Sequence, residues 1–459
     1  MEHEFLNFLT DQDIEFIDFR FSDLIGRWHH FTFSTQVFDQ SLLSKGIVFD
    51  GSSIQGWKGI EKSDMLLVPD LSNYWMDLLL KNRTVVVLCD IKDPHTGLFY
   101  NRDPRTIAKN AKNYLEQHAI FKQAFFGPEP EFFIFDAVRS KVSPYENSFL
   151  IESQEHHDMH SLDHGYIVGS GGGYLPVGPD DTFVSLRDEI LRTLLSLGIR
   201  ATKHHHEVAA GQHEVGIEFN SIVKISDQLQ FLKYAIKNVA IQHGHTATFM
   251  PKPIFGDNGS GMHVHFSLWD EKESKFYGSE YDGLSQDALY AIGGILKHAK
   301  ALNAFTNPTV NSYKRLVPGY EAPVYKAYSA CNRSAAIRIP HSDYQNAKRI
   351  EIRFPDPLAN PYLAFSAILM AALDGIEHKI HPGNSSDDNL YKKDLGSEFW
   401  MAKSLNEALE ALDQDRAFLC KGNVFDDDII DTFIALKKEE FNEVTLRTTP
   451  AEIQVYFGM

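Results

Sequence analysis

Cysteine is scarce in this 459-residue chain: only Cys89, Cys331 and Cys420 occur, an odd number without paired spacing, which excludes a disulfide framework and fits a reducing cytoplasm. A basic surface is also missing. The formal net charge of −18 argues against general nucleic-acid or membrane binding. The start, Met1-Glu-His-Glu-Phe5, is acidic and leads into no signal-peptide core. The apolar stretch Leu363–Leu373 is too short to span a bilayer and carries a serine. No G-x-x-x-x-G-K-[ST] occurs, so any ATP must be held without a P-loop. Internal repeats and low-complexity tracts are absent too.

What remains is the composition of a folded protein, 43% hydrophobic and 23% charged, in a chain long enough for two or more domains. Residues 14–35 alternate apolar and polar, and Thr84–Cys89 is valine-rich, so both read as strands. Asp103 and Pro104 supply an N-cap and first-turn proline for a helix to about residue 117, which sets a domain boundary there. Beyond it, the pattern predicts strands at 124–135, 262–268 and 349–354. Helices are predicted at 184–197, 225–243, 285–305 and 361–377. The polar segment 380–398 reads as a surface excursion, and Gly169–Gly173 as a loop rather than a phosphate cradle.

Three of the strands carry chemistry at every second residue: Glu129-Pro-Glu131, His263-Val-His265 and Arg349-Ile-Glu351-Ile-Arg353. Residues i and i+2 share a face of a strand, roughly 6–7 Å apart, so these groups form a floor of carboxylates and imidazoles flanked by arginines. Aromatic residues crowd Glu129 and Glu131, and a carboxylate in such a setting is costly unless paired or metal-bound. Pro130 donates no ladder bond, which predicts a bulge or an edge there. Glu207 and Glu214 lie in the His204–Glu214 stretch, which taken alone reads more readily as a solvated loop than as a ligand set. Glycines at 256, 259 and 261 let backbone approach a ligand just before His263 and His265. A set of glutamates with one histidine favours Mg²⁺ or Mn²⁺ over zinc. Arg315, Arg333, Arg338, Arg349 and Arg353 cluster in apolar sequence, suited to phosphate and carboxylate.

Taken in order, Phe49-Asp-Gly-Ser-Ser53, Gly127-Pro-Glu-Pro-Glu-Phe132, His205-His-Glu-Val208, Lys252 through His265, Asn311 through Glu321, Asn332-Arg-Ser334 and Arg349 through Pro357 resemble class I, bacterial-type glutamine synthetases almost end to end. The resemblance implies an α+β fold, with an N-terminal β-grasp domain at residues 1–103. A large catalytic domain would follow at 104–459, its antiparallel sheet packed with helices (glutamine synthetase/guanido kinase-like). It implies ligation of ammonium to the γ-carboxylate of L-glutamate with ATP, through a γ-glutamyl phosphate. One metal would be held by Glu131, Glu207 and Glu214, the other by Glu129, His263 and Glu351. Glutamate would lie against Arg315, Arg353, Asn258 and Gly259. The nucleotide would meet His265, Ser267, Arg338 and Arg349, with Arg333 beside the transferred phosphate. Asp50, from a neighbouring subunit, would bind ammonium, and Glu321 would lie on the flap over the intermediate. Tyr391 matches a tyrosine that some members adenylylate. The same resemblance implies a cytoplasmic dodecamer of two hexameric rings with active sites between subunits. The apolar end Ile453–Met459 is an independent hint of a partner.

Thr202 and Asn346 depart from the family's acid and lysine near the nucleotide. Two other functions remain open on sequence: a γ-glutamyl-amine ligase with the same intermediate, and a non-catalytic regulatory or assembly protein on the same fold.

Overall fold

The computed structural model describes residues 1–156 and 168–459. A five-stranded sheet comes first, in the order Trp28–Ser34, Phe16–Ser22, Thr84–Lys92, Asp64–Met76, Ile47–Asp50. Its two middle strands, Phe16–Ser22 and Thr84–Lys92, run parallel and the others antiparallel, which with the helix Glu2–Asp11 makes a β-grasp unit. The expected strands at 14–35 and 84–89 are both present.

The second sheet positions the chemistry. Its strands follow the order Tyr328–Ala330, Ile337–Ile339, Ile350–Ile352, Met262–Trp269, Gln123–Phe135, Gln212–Ile217, Ala201–His206. Pairing is antiparallel except between the two strands at the first edge. The strand Gln123–Phe135 runs through the middle of the sheet and has no bulge at Pro130, yet Pro130 lies at a local edge, since one flank of residues 127–130 carries no strand. The ladder adapts. Residues 127–130 pair only with Met262–Trp269, while Gln212–Ile217 joins from Glu131 onward and Asn220–Ser221 joins at Phe125 and Phe126. The N–H of Glu131 bonds toward Gly261, and that of Ile134 toward Gly211 on the opposite flank. Even-numbered residues therefore point their N–H away from Met262–Trp269, and Pro128 and Pro130 lack a donor only where no strand needs one.

The helix Pro361–Glu377 is the hub of the core. It is apolar on every side and buried from Pro361 to Gly375, as a helix without a polar face must be. Asn360 caps it by accepting from Tyr362 N, while its amide donates to the Asp23 and Leu24 carbonyls of the β-grasp unit. The helix Gln286–Lys297 crosses it so closely that a Cβ on Gly375 would lie 2.1 Å from the Tyr290 carbonyl oxygen. The single helix expected over 285–305 is two, Gln286–Lys297 and Ala299–Thr306, broken at His298. That ring is buried and bonds Asp374 at 2.9 Å and Asp415 at 2.7 Å, contacts that override a helical period the sequence carries straight through. Asp103 caps the helix Pro104–Glu116 as its sequence predicts. Arg105, in its first turn, pairs with Asp70, Asp90 and Asp227, pinning the β-grasp sheet to the helix Ile222–Gln242. No helix among the described residues is long and apolar enough to cross a membrane.

Candidate active site

The register of the second sheet places the chemistry in rows, because residues paired across strands share a face. One row runs His205, Glu214, Glu131; another runs Arg338, Glu351, His265, Gly127; between them His263 pairs with Glu129. Over these rows opens a cleft of about 600 Å³. It is lined by Glu129, Glu131, Glu207, Glu214, His263, His265, Asn258, Gly259, Arg315, Glu321, Arg333, Arg338, Arg349, Glu351, Arg353 and Tyr391. Of the residues singled out by sequence, Asp50 and Ser267 lie elsewhere. Asp50 is exposed at the far edge of the β-grasp sheet, its carboxylate held low in pKa by bonds from Ser52 and Ser53. Ser267 is buried, and its hydroxyl accepts the Trp269 indole N–H at 2.9 Å.

Ligand-capable atoms gather in two groups within the cleft, each with its atoms inside 4.8 Å of one another. The first is Glu129, His263 and Glu351. The second is His205, Glu207 and Glu214, with His205 where the sequence reading puts Glu131. Glu131 is adjacent, but its Oε2 accepts from Gln212 Nε2 and Gly261 N, both at 2.9 Å. Gly261 leaves room for the neighbouring arginine: a Cβ there would lie 2.5 Å from the Arg315 guanidinium.

The electrostatics fit divalent cations. Burial, and then mutual repulsion with Glu214, pushes the Glu131 carboxyl up to about 8, against the pull of Arg315. Burial beside Glu131 and Glu214 pushes Glu207 up to about 9. Glu214 Oε1 is buried and makes no well-aligned hydrogen bond. Clustered buried carboxyls, two of them raised in pKa by burial and mutual repulsion, are a seat for a hard cation. The first group is better compensated. Burial opposes ionisation of Glu351, yet the carboxyl is held down to about 2, with Arg353 and Arg338 both bonding it at 2.5 Å. Glu129 is likewise held low, chiefly by His265, despite its burial. His263 is forced neutral by burial and by Arg353, the state in which an imidazole ligates metal.

A third group, Glu155, His206 and His213, is buried outside the cleft. Arg187 donates to His213 Nδ1 at 3.0 Å, so a guanidinium already supplies positive charge there. This network is structural. It braces the site, since His206 bonds Glu155 at 2.9 Å and the Glu207 carbonyl at 2.6 Å.

The arginines are pre-positioned. Arg315 donates to the Phe354, Pro355 and Arg353 carbonyls, Arg353 to the Arg333 carbonyl, and Arg349 to His265 Nδ1. Glu321 stands at φ +60°, a strained conformation for a non-glycine residue in the segment expected to be a flap. Tyr391 does not extend freely into solvent: its hydroxyl donates to the Arg333 carbonyl at 3.2 Å, at the cleft wall. Thr202 and Asn346 are both engaged outside the cleft, with the Gly216 carbonyl and the Ser274 amide respectively. The sequence reading missed Lys203, His205 and Gln212. Their signal was the i, i+2 alternation of the His-rich stretch, which puts Lys203 and His205 on the Glu207 side of a strand.

A sheet whose carboxylate and imidazole floor is ringed by guanidinium groups, joined to a β-grasp unit, suits an enzyme that brings divalent cations and a polyanion together. Comparison with known proteins makes this specific. Residues 13–94 match the family description "Glutamine synthetase, beta-Grasp domain" and residues 101–456 match "Glutamine synthetase, catalytic domain". The chain belongs to the glutamine synthetase family. It is 50% identical to a glutamine synthetase of Rhizobium meliloti, over 100% of this chain and 99% of that one. At the same 50% identity, over 99% of this chain and 98% of the other, it matches a Cupriavidus pinatubonensis protein named 3-hydroxylaminophenol mutase. A solved Plasmodium falciparum glutamine synthetase superposes with a TM-score of 0.91 at 30% identity, covering 99% of this chain and 98% of its own.

Proposed function

We propose that this chain is a class I glutamine synthetase, a glutamate–ammonia ligase that makes glutamine, ADP and phosphate from L-glutamate, ammonium and ATP through γ-glutamyl phosphate. The observation that carries the residue assignment is convergence: nearly every position implied by the family resemblance opens onto one cleft with two cation-capable groups.

A carboxylate does not accept an amine at neutral pH, because oxide is too poor a leaving group. Passing the γ-phosphoryl group of ATP to a glutamate side-chain oxygen turns that oxygen into a phosphate leaving group. Two Mg²⁺ or Mn²⁺ ions, held by Glu129, His263 and Glu351 and by Glu131, Glu207 and Glu214 with His205 beside them, would offset the charge on the phosphates. Arg315 and Arg353 orient the substrate glutamate with Asn258 and Gly259, and their bonds to backbone fix their geometry beforehand. Arg338, Arg349 and His265 face the nucleotide, with Ser267 two residues on from His265 in its strand. Arg333 stands beside the phosphoryl group in transfer.

Asp50 accepts a proton from ammonium, which frees the lone pair that attacks the acyl phosphate. Its place outside the cleft of its own chain is in keeping with delivery by a neighbouring subunit, and two stacked hexameric rings is the arrangement we infer from the family resemblance. Glu321 closes over the acyl phosphate and keeps water out. Tyr391 is a site for adenylylation once its bond to Arg333 opens. We divide the chain at residues 103 and 104, and place the reaction in the cytoplasm on the strength of three unpaired cysteines.

The test is phosphate release from the purified protein with ATP, Mg²⁺ and glutamate, comparing ammonium with ethylamine, putrescine and no amine. Release that needs ammonium, with equal glutamine, is expected. Preference for an organic amine would make the chain a γ-glutamyl-amine ligase, and silence with every amine would make it a regulator.

A further inference from the structure

Lys203 stands on the strand Ala201–His206, on the face that looks into the cleft with His205. Its ammonium lies 3.4 Å from Glu129 Oε1 and 3.3 Å from Glu214 Oε1. Those carboxylates belong to different cation groups, so one resident positive charge spans both. The stem has room by construction. Its cross-strand partner is Gly216, where a Cβ would come within 3.2 Å of both Cγ and Cε of Lys203. No step above uses this lysine.

We propose that Lys203 is a nucleotide-phosphate contact of this active site, parked on the cation carboxylates until they are loaded. The inference rests on the two-cation reading of the cleft. A divalent ion on Glu129 and another on Glu214 would each repel an ammonium a few ångströms away and take the oxygens it holds. Arg353 keeps the Arg333 carbonyl and Arg349 the Ala347 carbonyl, anchors that lie outside the cation ligands. Lys203 loses both of its carboxylates at once. Its side chain is 53% exposed and carries a four-carbon stem, so it can swing. The anion that enters the same cleft is the polyphosphate of the nucleotide. One lysine therefore competes with metal in the free enzyme and assists nucleotide in the loaded one.

That dual role has a two-signed consequence which a merely structural lysine would not produce. In Lys203→Met, Mn²⁺ titrated calorimetrically without nucleotide should bind about two- to fivefold more tightly, the worth of a half-exposed ion pair. ADP titrated at saturating Mg²⁺ should bind about tenfold more weakly or worse, the loss of one charge-assisted bond. Lys203→Arg should restore ADP binding. ADP affinity unchanged in Lys203→Met, or metal and nucleotide shifting the same way, would overturn the inference while leaving the two-cation reading intact. A wild-type protein that takes up no Mn²⁺ would overturn both.

Discussion

Gly375→Ala sets two effects of comparable size against each other at the crossing of Pro361–Glu377 with Gln286–Lys297. Alanine favours the helix by about 1 kcal/mol over glycine. The added Cβ, however, would lie 2.1 Å from the Tyr290 carbonyl oxygen and 2.7 Å from Gly294 Cα. The first distance is about 1.4 Å short of the ~3.5 Å at which such atoms rest. Both obstacles are backbone, so no side chain can rotate away and the helices must part. Overpacking of this kind costs about 1–3 kcal/mol, at the upper end when backbone must move. The net expectation is a loss of about 2 kcal/mol. Because the same helix is tied through Asn360 to the β-grasp unit, the loss should appear as a lower apparent midpoint in thermal and urea unfolding and as faster amide exchange in both helices. Gly169→Ala, with nothing within 4 Å of its Cβ, is the matched control and should be nearly silent. A Gly375→Ala protein as stable as wild type, or more so, would refute the close-crossing argument.

Three other outcomes follow from the cleft and its surroundings. Glu131 and Glu207 have folded-state values near 8 and 9 against an ordinary 4.5, so the native state keeps protons that the unfolded chain has shed. Stability in EDTA should therefore fall as pH rises from about 5 to about 9, and saturating Mn²⁺ should remove the slope; a flat EDTA profile in thermal melts would contradict the electrostatics. Asp50→Ala should keep Mn²⁺ and ADP affinity but lose most glutamine formation at limiting ammonium, and unchanged ammonium dependence would sink its assignment. Removing residues 453–459, which expose Ile453, Val455, Tyr456, Phe457 and Met459, should weaken the ring pairing proposed above, as read by sedimentation velocity; an unaltered profile would refute it.

How far the sequence carried depends on the range of the interactions involved. Alternation and capping are local signals, and both worked: the strands at 123–135 and 262–269, the helix capped by Asp103 and the apolar helix Pro361–Glu377 lie where the pattern puts them. The break at His298 was illegible, because its cause is a pair of carboxylates 76 and 117 residues away. Pro130 marked a local edge as expected, although the strand is central, since a proline reports which flank lacks a donor and not where the whole strand lies. The cleft floor was legible as residue types at period two. The neighbourhood of His205 and Lys203 was not, because a histidine run looks solvated until Gln212–Ile217 is paired to it. The C-terminal helices Leu405–Gln414 and Asp427–Thr445 carry no chemistry and were passed over, although their apolar faces close the core.

The prolines of Gly127–Glu131 do more than tolerate the gap in the ladder: they act as a ratchet on the sheet. Sliding this strand by one residue against Met262–Trp269 would turn Glu129 and Glu131 into the apolar core and bring two donorless nitrogens to the flank where bonds are needed. The misaligned sheet would thus be charged twice, once in desolvated carboxylate and once in missing hydrogen bonds. A strand of alternating acids and apolar residues alone would bear only the first cost. The chain therefore proofreads the alignment of its cation-binding face while it folds, before any metal or nucleotide arrives to select it.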